Sequence, residues 1–188
     1  MTIRAITHNG TSTFRTGMKY KRHRQYRLPH FNYASTGYYF ITIVGKNRFP
    51  YFGEIRQAEI SLSCIGTIVQ NCWLKIPSTA PYAKLDAFVV IPNHIHGIIL
   101  LQNPQEARFN SQLKFQPQKR SLSMIVRRFK AAVTAAARAL SPRIEVWQPR
   151  FYDRIIRNEK ELQAIRLYIN NNPKQWEADK NNPENPVM

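Results

Sequence analysis

The spacing of apolar residues along this chain switches between two and three-to-four, and the switches mark its elements. Over residues 37–46 (GYYFITIVGK), Tyr38, Phe40, Thr42 and Val44 alternate with Tyr39, Ile41 and Ile43. Both sets are mainly apolar, which predicts a central strand covered on both faces. Residues 51–61 carry short alternating pieces around Arg56-Gln57 and predict a small hairpin. Ser63 stands where a helix N-cap belongs, and Cys64/Ile65, Ile68/Val69, Cys72/Trp73 and Ile76 recur at helical spacing, with Pro77 as a stop. Residues 84–101 (KLDAFVVIPNHIHGIILL) are two β-branched runs joined by Pro92-Asn93, hence two adjacent strands of a buried sheet. Residues 102–119 are polar and predict a long loop. Residues 121–140 predict a helix with Leu122, Ile125, Phe129, Val133 and Ala136 on its apolar stripe. Residues 151–156 read as a strand. Asn158 and Glu161 have capping-box spacing, and the helix they start runs to about Asn171, ending before Pro173. Leu162, Ile165 and Ile169 form its stripe. There is no internal repeat. The pattern predicts an α+β protein, an antiparallel sheet with helices packed against it.

Composition sharpens this picture. With 188 residues, 43% of them hydrophobic, the chain suffices for one cored domain with tails. We divide it into a basic arm (residues 1–30), a domain (31–176) and a polar, proline-containing tail (177–188). The formal net charge of +17 suits a polyanionic partner, nucleic acid before an anionic membrane. The arm carries Arg4, Arg15, Lys19, Lys21, Arg22, Arg24 and Arg27; the 121–140 helix carries Arg127, Arg128, Lys130 and Arg138 off its apolar stripe. Each set reads equally as a solvated surface or as phosphate contacts. No apolar run reaches the length of a membrane span and no apolar leader opens the chain, so a cytoplasmic location is expected. Cys64 and Cys72 would lie about 12 Å apart along one helix, too far for a disulfide, and are expected to be buried thiols.

Two places carry candidate chemistry. His94 and His96 flank Ile95 on a strand, so both imidazoles point to one face and can hold one divalent ion. The plain alternative is a pair of half-buried, hydrogen-bonded histidines. In the last helix, Tyr168 lies roughly 60° from Ile165, on the shoulder of the stripe, and Asn172 follows one turn later. Taken alone, these read first as a phenol with its hydroxyl in water and an Asn acting as a helix C-cap. Combined with the histidines, an amide oxygen completes three neutral ligands and leaves positions open for water and substrate, as Mg²⁺ or Mn²⁺ requires. A tyrosine beside such an ion could attack a phosphodiester. No Gly-rich phosphate loop, His-Glu-x-x-His, Cys-x-x-Cys or Gly-x-Ser-x-Gly competes.

The two motifs together carry a resemblance. PNHIHGII resembles the His-hydrophobe-His (HUH) motif of single-tyrosine transposases, and YINNNP resembles the catalytic-helix signature of the REP-associated tyrosine transposases, relatives of the insertion sequence 200/605 transposases. GYYFITIVGKNR, FGEI, CWLKIP, LDAFVVIPNHIHGII, SLSMIVRRFK and WQPRFYDRIIRNEKEL follow in the family's order over about residues 27–176. The resemblance implies a ferredoxin-like, RRM-like antiparallel sheet with the HUH motif on a central strand and the catalytic tyrosine on a C-terminal helix. It implies metal-dependent cleavage and rejoining of single-stranded or hairpin DNA through a covalent 5′-phosphotyrosine, by a monomer or homodimer. His94 and His96 would be metal ligands and Tyr168 the nucleophile. Asn172 matches the third-ligand position, where relatives often have Gln. Tyr152 is a rival phenol without an amide one turn away. The alternative function is a non-catalytic DNA- or RNA-binding protein on the same fold, which would be free to lose Tyr168.

Overall fold

The computed structural model describes residues 31–102 and 120–176. The arm with Lys21, Arg22 and Arg24, most of the 102–119 loop and the C-terminal tail lie outside the described residues. In chain order the elements are β1 (Gly37–Val44), a 3₁₀ turn (Lys46–Arg48), β2 (Gly53–Arg56), β3 (Glu59–Leu62), α1 (Cys64–Leu74), α2 (Ile76–Thr79), β4 (Ala83–Ile91), β5 (His94–Leu101), α3 (Leu122–Leu140), β6 (Tyr152–Ile156) and α4 (Glu159–Gln175). Four strands form one sheet in the order β4-β5-β1-β6, with every neighbouring pair antiparallel. Strands β2 and β3 form their own hairpin. Setting that hairpin and α4 aside, the chain runs β-α-β-β-α-β, the expected ferredoxin-like arrangement. His94 and His96 lie on β5, an inner strand.

Local chemistry sets the element ends. The hairpin turns at Gln57 and Ala58, both with positive φ (51° and 64°), as a tight two-residue loop demands. The Ser63 hydroxyl accepts from the Gly66 N–H at 3.0 Å and starts α1. Asn158 Oδ1 accepts from the Glu161 N–H at 2.8 Å, and Glu161 Oε2 in turn accepts from the Arg157 N–H at 3.0 Å. Three orphan or near-terminal donors of the chain are satisfied this way.

The sheet has two unequal faces. Tyr39, Ile41, Ile43, Ile95 and Ile99 are fully buried on one, under α1 and α3 through Val69, Trp73, Ile125, Phe129 and Val133. On the other, Ile98 and Ile156 meet Leu162 and Ile169 of α4. Here Tyr38, Phe40, Thr42 and Val44 are only half-buried, so the expected full cover of β1 is found on one face alone. Tyr38, Phe40, Ala87 and Val89 also pack against the α4 cluster, but one helix about 10 Å wide cannot bury the whole width of four strands spaced about 4.8 Å apart.

Four local expectations are corrected. Helix α1 stops at Leu74, and Pro77 sits in the first turn of α2, where its missing N–H removes no bond. On α3 the buried stripe includes Val126 and Ala137 and leaves Ala136 exposed, because the helix is turned toward α1. Cys64 is exposed and Cys72 half-buried, with burial raising the Cys72 thiol pKa. Finally, α4 runs through Pro173 to Gln175 and is closed by the buried Trp176. Proline costs the helix one hydrogen bond there, and the apolar burial of Ile169 and Trp176 on either side outweighs it.

Candidate active site

The first and third residues of β5 are the two histidines, 2% and 5% exposed. Asn93 Oδ1 lies 2.7 Å from His94 Nδ1 and accepts its proton, which leaves Nε2 as a lone-pair donor. Thr42, directly opposite His96 across β1, brings Oγ1 to 2.8 Å from His96 Nδ1. A hydroxyl can accept there, giving His96 the same tautomer. The two Nε2 atoms then face each other at 3.0 Å. Two nitrogens each about 2.1 Å from one ion lie about 3.0 Å apart when they meet it at a right angle. Burial, with Arg48 nearby, lowers the His94 pKa to about 4, so its imidazole is neutral at physiological pH.

Helix α4 delivers the remaining groups. Tyr168 Oη lies 3.2 Å from His96 Nε2, while the residue stays 42% exposed. Phe40 stacks on the His96 ring at 5.3 Å and meets the Tyr168 ring edge-on at 6.1 Å. Two turns on, Trp176 packs 6.1 Å from His94. Residues 168, 172 and 176 share one helix face. With Tyr168 over His96 and Trp176 over His94, Asn172 lies between them along that face. Its side chain is 2% exposed and its Oδ1 is buried without a hydrogen-bond partner. It does not cap the helix; Trp176 does. A buried amide oxygen left unpaired costs about 1–3 kcal/mol. An ion held with His94 and His96 would satisfy it, so the donor set fits a divalent metal. No trio of His, Cys, Asp or Glu among the described residues offers an alternative.

The structure therefore brings together His94, His96 and Tyr168, with Asn172 on the same helix face. It does not bring the α3 cations to them. Arg127 and Arg128 are exposed on α3, which packs on the opposite side of the sheet. Lys130 is partly buried and donates to the carbonyls of Gln148 (2.6 Å) and Arg150 (2.9 Å), bracing the segment that enters β6. Burial pulls its pKa down to about 8. Tyr152 lies on the site face of β6, two strands from His96.

Sequence reasoning missed the supports: Thr42, Asn93, Phe40, Trp176, and the Asp86–Arg166 pair. Thr42 was visible as the one aliphatic hydroxyl in a strand of aromatic and apolar residues. Asp86 sits where the β4–β5 register shifts between Leu85 and Phe88, a bulge that re-aims its side chain. Arg166 grips it in bidentate fashion, Nε to Oδ1 at 2.9 Å and Nη2 to Oδ2 at 2.6 Å, which lowers the Asp86 pKa. This pair ties α4 to the sheet two residues before Tyr168. Asp86→Ala is expected to slow any chemistry that uses the Tyr168 hydroxyl about tenfold or more by loosening that placement, while leaving the sheet folded. Single-turnover rates beside circular dichroism check it; an unchanged rate would mean the apolar contacts alone position α4.

The low His94 pKa also has a stability consequence. The unfolded imidazole binds its proton near pH 6.5, the folded one only near pH 4. Stability is thus full above pH 6.5 and falls as pH drops toward 4, by about 3 kcal/mol in all. Urea midpoints of metal-free protein at pH 7 and 4.5 should differ accordingly, and His94→Gln should flatten the difference. An equal difference in both proteins would locate the acid sensitivity elsewhere.

Comparisons with known proteins bear on the fold and on kinship. No family model matches the chain. An uncharacterized protein of Haemophilus influenzae is 42% identical over 176 residues, spanning 90% of this chain and 97% of that protein. Among solved structures, a REP-associated tyrosine transposase bound to a REP hairpin superposes with a TM-score of 0.55 at 23% identity, covering 79% of this chain and 73% of that one. The fold expected from the resemblance is the one found. The chain belongs to one family with the Haemophilus influenzae protein, and its fold is that of a REP-associated tyrosine transposase.

Proposed function

We propose that this protein is a transposase-like enzyme that cuts and rejoins single-stranded DNA beside a hairpin, using Tyr168 as nucleophile. The observation that carries the reading is the meeting of Tyr168 Oη, His96 Nε2 and His94 Nε2 at 3.2 and 3.0 Å, on a helix face that also buries the unpaired Asn172 oxygen. Hairpin DNA is the preferred partner because the transposase of like fold was solved with a REP hairpin and because this chain carries a net charge of +17.

His94, His96 and Asn172 would hold Mg²⁺ or Mn²⁺, which when bound polarises the scissile phosphate and offsets charge on the departing oxygen. The phenolic oxygen of Tyr168 forms a bond to phosphorus as the bond to the 3′ oxygen breaks. The phenol's proton leaves toward water on its exposed side, and the 3′ oxygen takes up a proton to become a hydroxyl. Attack by a 3′-hydroxyl on the phosphotyrosine reverses the step and rejoins DNA. Phe40 and Thr42 hold His96 in orientation; the Asp86–Arg166 pair holds the helix that carries Tyr168. Because its proposed substrate is DNA, we assign the protein to the cytoplasm; no helix among the described residues is long and apolar enough to cross a membrane.

The test is incubation with hairpin-flanked single-stranded DNA and Mn²⁺ or Mg²⁺, resolved on a denaturing gel. A covalent adduct that vanishes with EDTA is the expected result. Tight binding with no adduct under any metal would favour the non-catalytic alternative.

The cations divide by position. Lys21, Arg22 and Arg24 of the arm are proposed phosphate contacts, as are Arg127 and Arg128 of α3, which lie across the sheet from His96 and Tyr168, and Lys130 is braced on the β6 approach. Replacing Arg127 and Arg128 by Ala should reduce the slope of log K against log salt by about 0.7 per lost phosphate contact. Cleavage at saturating DNA should stay unchanged. A slower saturated rate would require DNA to wrap from α3 to the site.

A further inference from the structure

The corner of the sheet that α4 leaves uncovered adjoins the catalytic pair. Across the strands the register runs Tyr152, Thr42, His96, so all three side chains project from the same face. Tyr152 is 50% exposed there, and Phe40, which stacks on His96, lies diagonal to it. Arg154 stands opposite Phe40 with its side chain 68% exposed, paired to Glu161 at 2.7 Å. Arg48 is near enough to His94 to help lower its pKa. Two strand spacings separate Tyr152 from His96, about 10 Å.

An apolar protein partner seated on this corner would have to desolvate the Arg154–Glu161 pair and the Tyr152 hydroxyl. A nucleobase would not, because it offers a π face to the ring and polar edges to its surroundings. Its phosphates also carry the charge opposite to the chain's net +17. We propose that Tyr152 is the stacking platform for a base of single-stranded DNA next to the phosphate that meets Tyr168. The assignment deepens the function proposed above and depends on it only for the position of that phosphate. It gives the second phenol of the site a role distinct from nucleophilic attack. A phosphate lying at Tyr168 and His96 leaves its own base, or the neighbouring one, within reach of Tyr152 across Thr42.

The test separates stacking from charge by comparing two ligands. Fluorescence anisotropy in EDTA, which prevents cleavage, reads the affinity for a twelve-residue oligothymidine and for an abasic oligomer of equal length and charge. Tyr152→Ala should weaken oligothymidine binding about tenfold while leaving the abasic oligomer unchanged. Tyr152→Phe, which keeps the π face, should bind like the parent. Tyr152→Leu, which keeps apolar bulk without it, should bind like the Ala variant and serves if Ala fails to fold. Equal weakening toward both oligomers, or none toward either, would overturn the platform. A Tyr152-dependent margin seen only with oligouridine RNA would overturn the assignment to DNA. The adduct assay is separate: a parent protein that forms no adduct yet shows the Tyr152 margin refutes the proposed chemistry and leaves the platform standing.

Discussion

Tyr168→Phe is expected to bind hairpin DNA within about twofold of the parent and to form no covalent adduct. Adduct formation should fall by on the order of 10⁴-fold or more, since removal of a nucleophile leaves no partial substitute in the same position. Only one atom is lost. The ring's edge contact with Phe40 and its place beside His96 survive, so neither α4 nor the sheet need move. Tyr152→Phe should form adduct at the parent's rate, because Tyr152 stands two strands away from His96 rather than 3.2 Å from its Nε2. Both variants are compared on denaturing gels at saturating DNA, with the labelled peptide identified by mass spectrometry. Adduct that persists in the Tyr168→Phe variant and disappears from the Tyr152→Phe variant would exchange the two roles.

Asn172→Leu should move stability and metal binding in opposite directions. Leucine has nearly the shape of asparagine but no oxygen to leave unpaired in the interior. In EDTA the variant should be about 1–2 kcal/mol more stable, by urea denaturation, as the desolvated Oδ1 is removed. Mn²⁺ affinity, measured calorimetrically without DNA, should fall at least about tenfold. His96→Ala should lose metal affinity as well, but it also empties the space against Phe40 and is expected to destabilise. The contrast between the two is diagnostic. If Asn172 only supports the helix end, its replacement would instead destabilise the protein and leave Mn²⁺ binding intact. A buried polar group that weakens the fold while serving a site is the stability cost such sites commonly carry.

Most elements were legible before the fold was known. The two-residue period of 37–44 and of the runs around Pro92-Asn93, the caps at Ser63 and Asn158, and the helical stripes all lie in local chemistry that a chain expresses residue by residue. The placing of His94 and His96 on one face follows from strand geometry alone. Alternation could not say how fully each face is covered. That depended on where α4 came to rest, and it left β1 half-open beside the site. Nor could spacing reveal that Pro173 lies inside a helix. Local preference argues against it, and the apolar burial of Ile169 and Trp176 on either side overrides that preference.

Charge gives the sharpest division. The excess of basic residues is a property of composition, and it points to a polyanion wherever those residues lie. Which of them can serve the chemistry is a matter of layers: α3 with Arg127 and Arg128 is on one side of the sheet, His96 and Tyr168 on the other. The sequence alone determined the strands, the helices, the paired imidazoles and the two candidate phenols. The tertiary structure decided which phenol meets an imidazole and which amide oxygen is buried without a hydrogen-bond partner. It also decided that Asp86, 80 residues from Arg166 in the chain, anchors the helix that carries Tyr168. Such pairings arise only when distant segments are packed together, because no local interaction brings residues so far apart into contact.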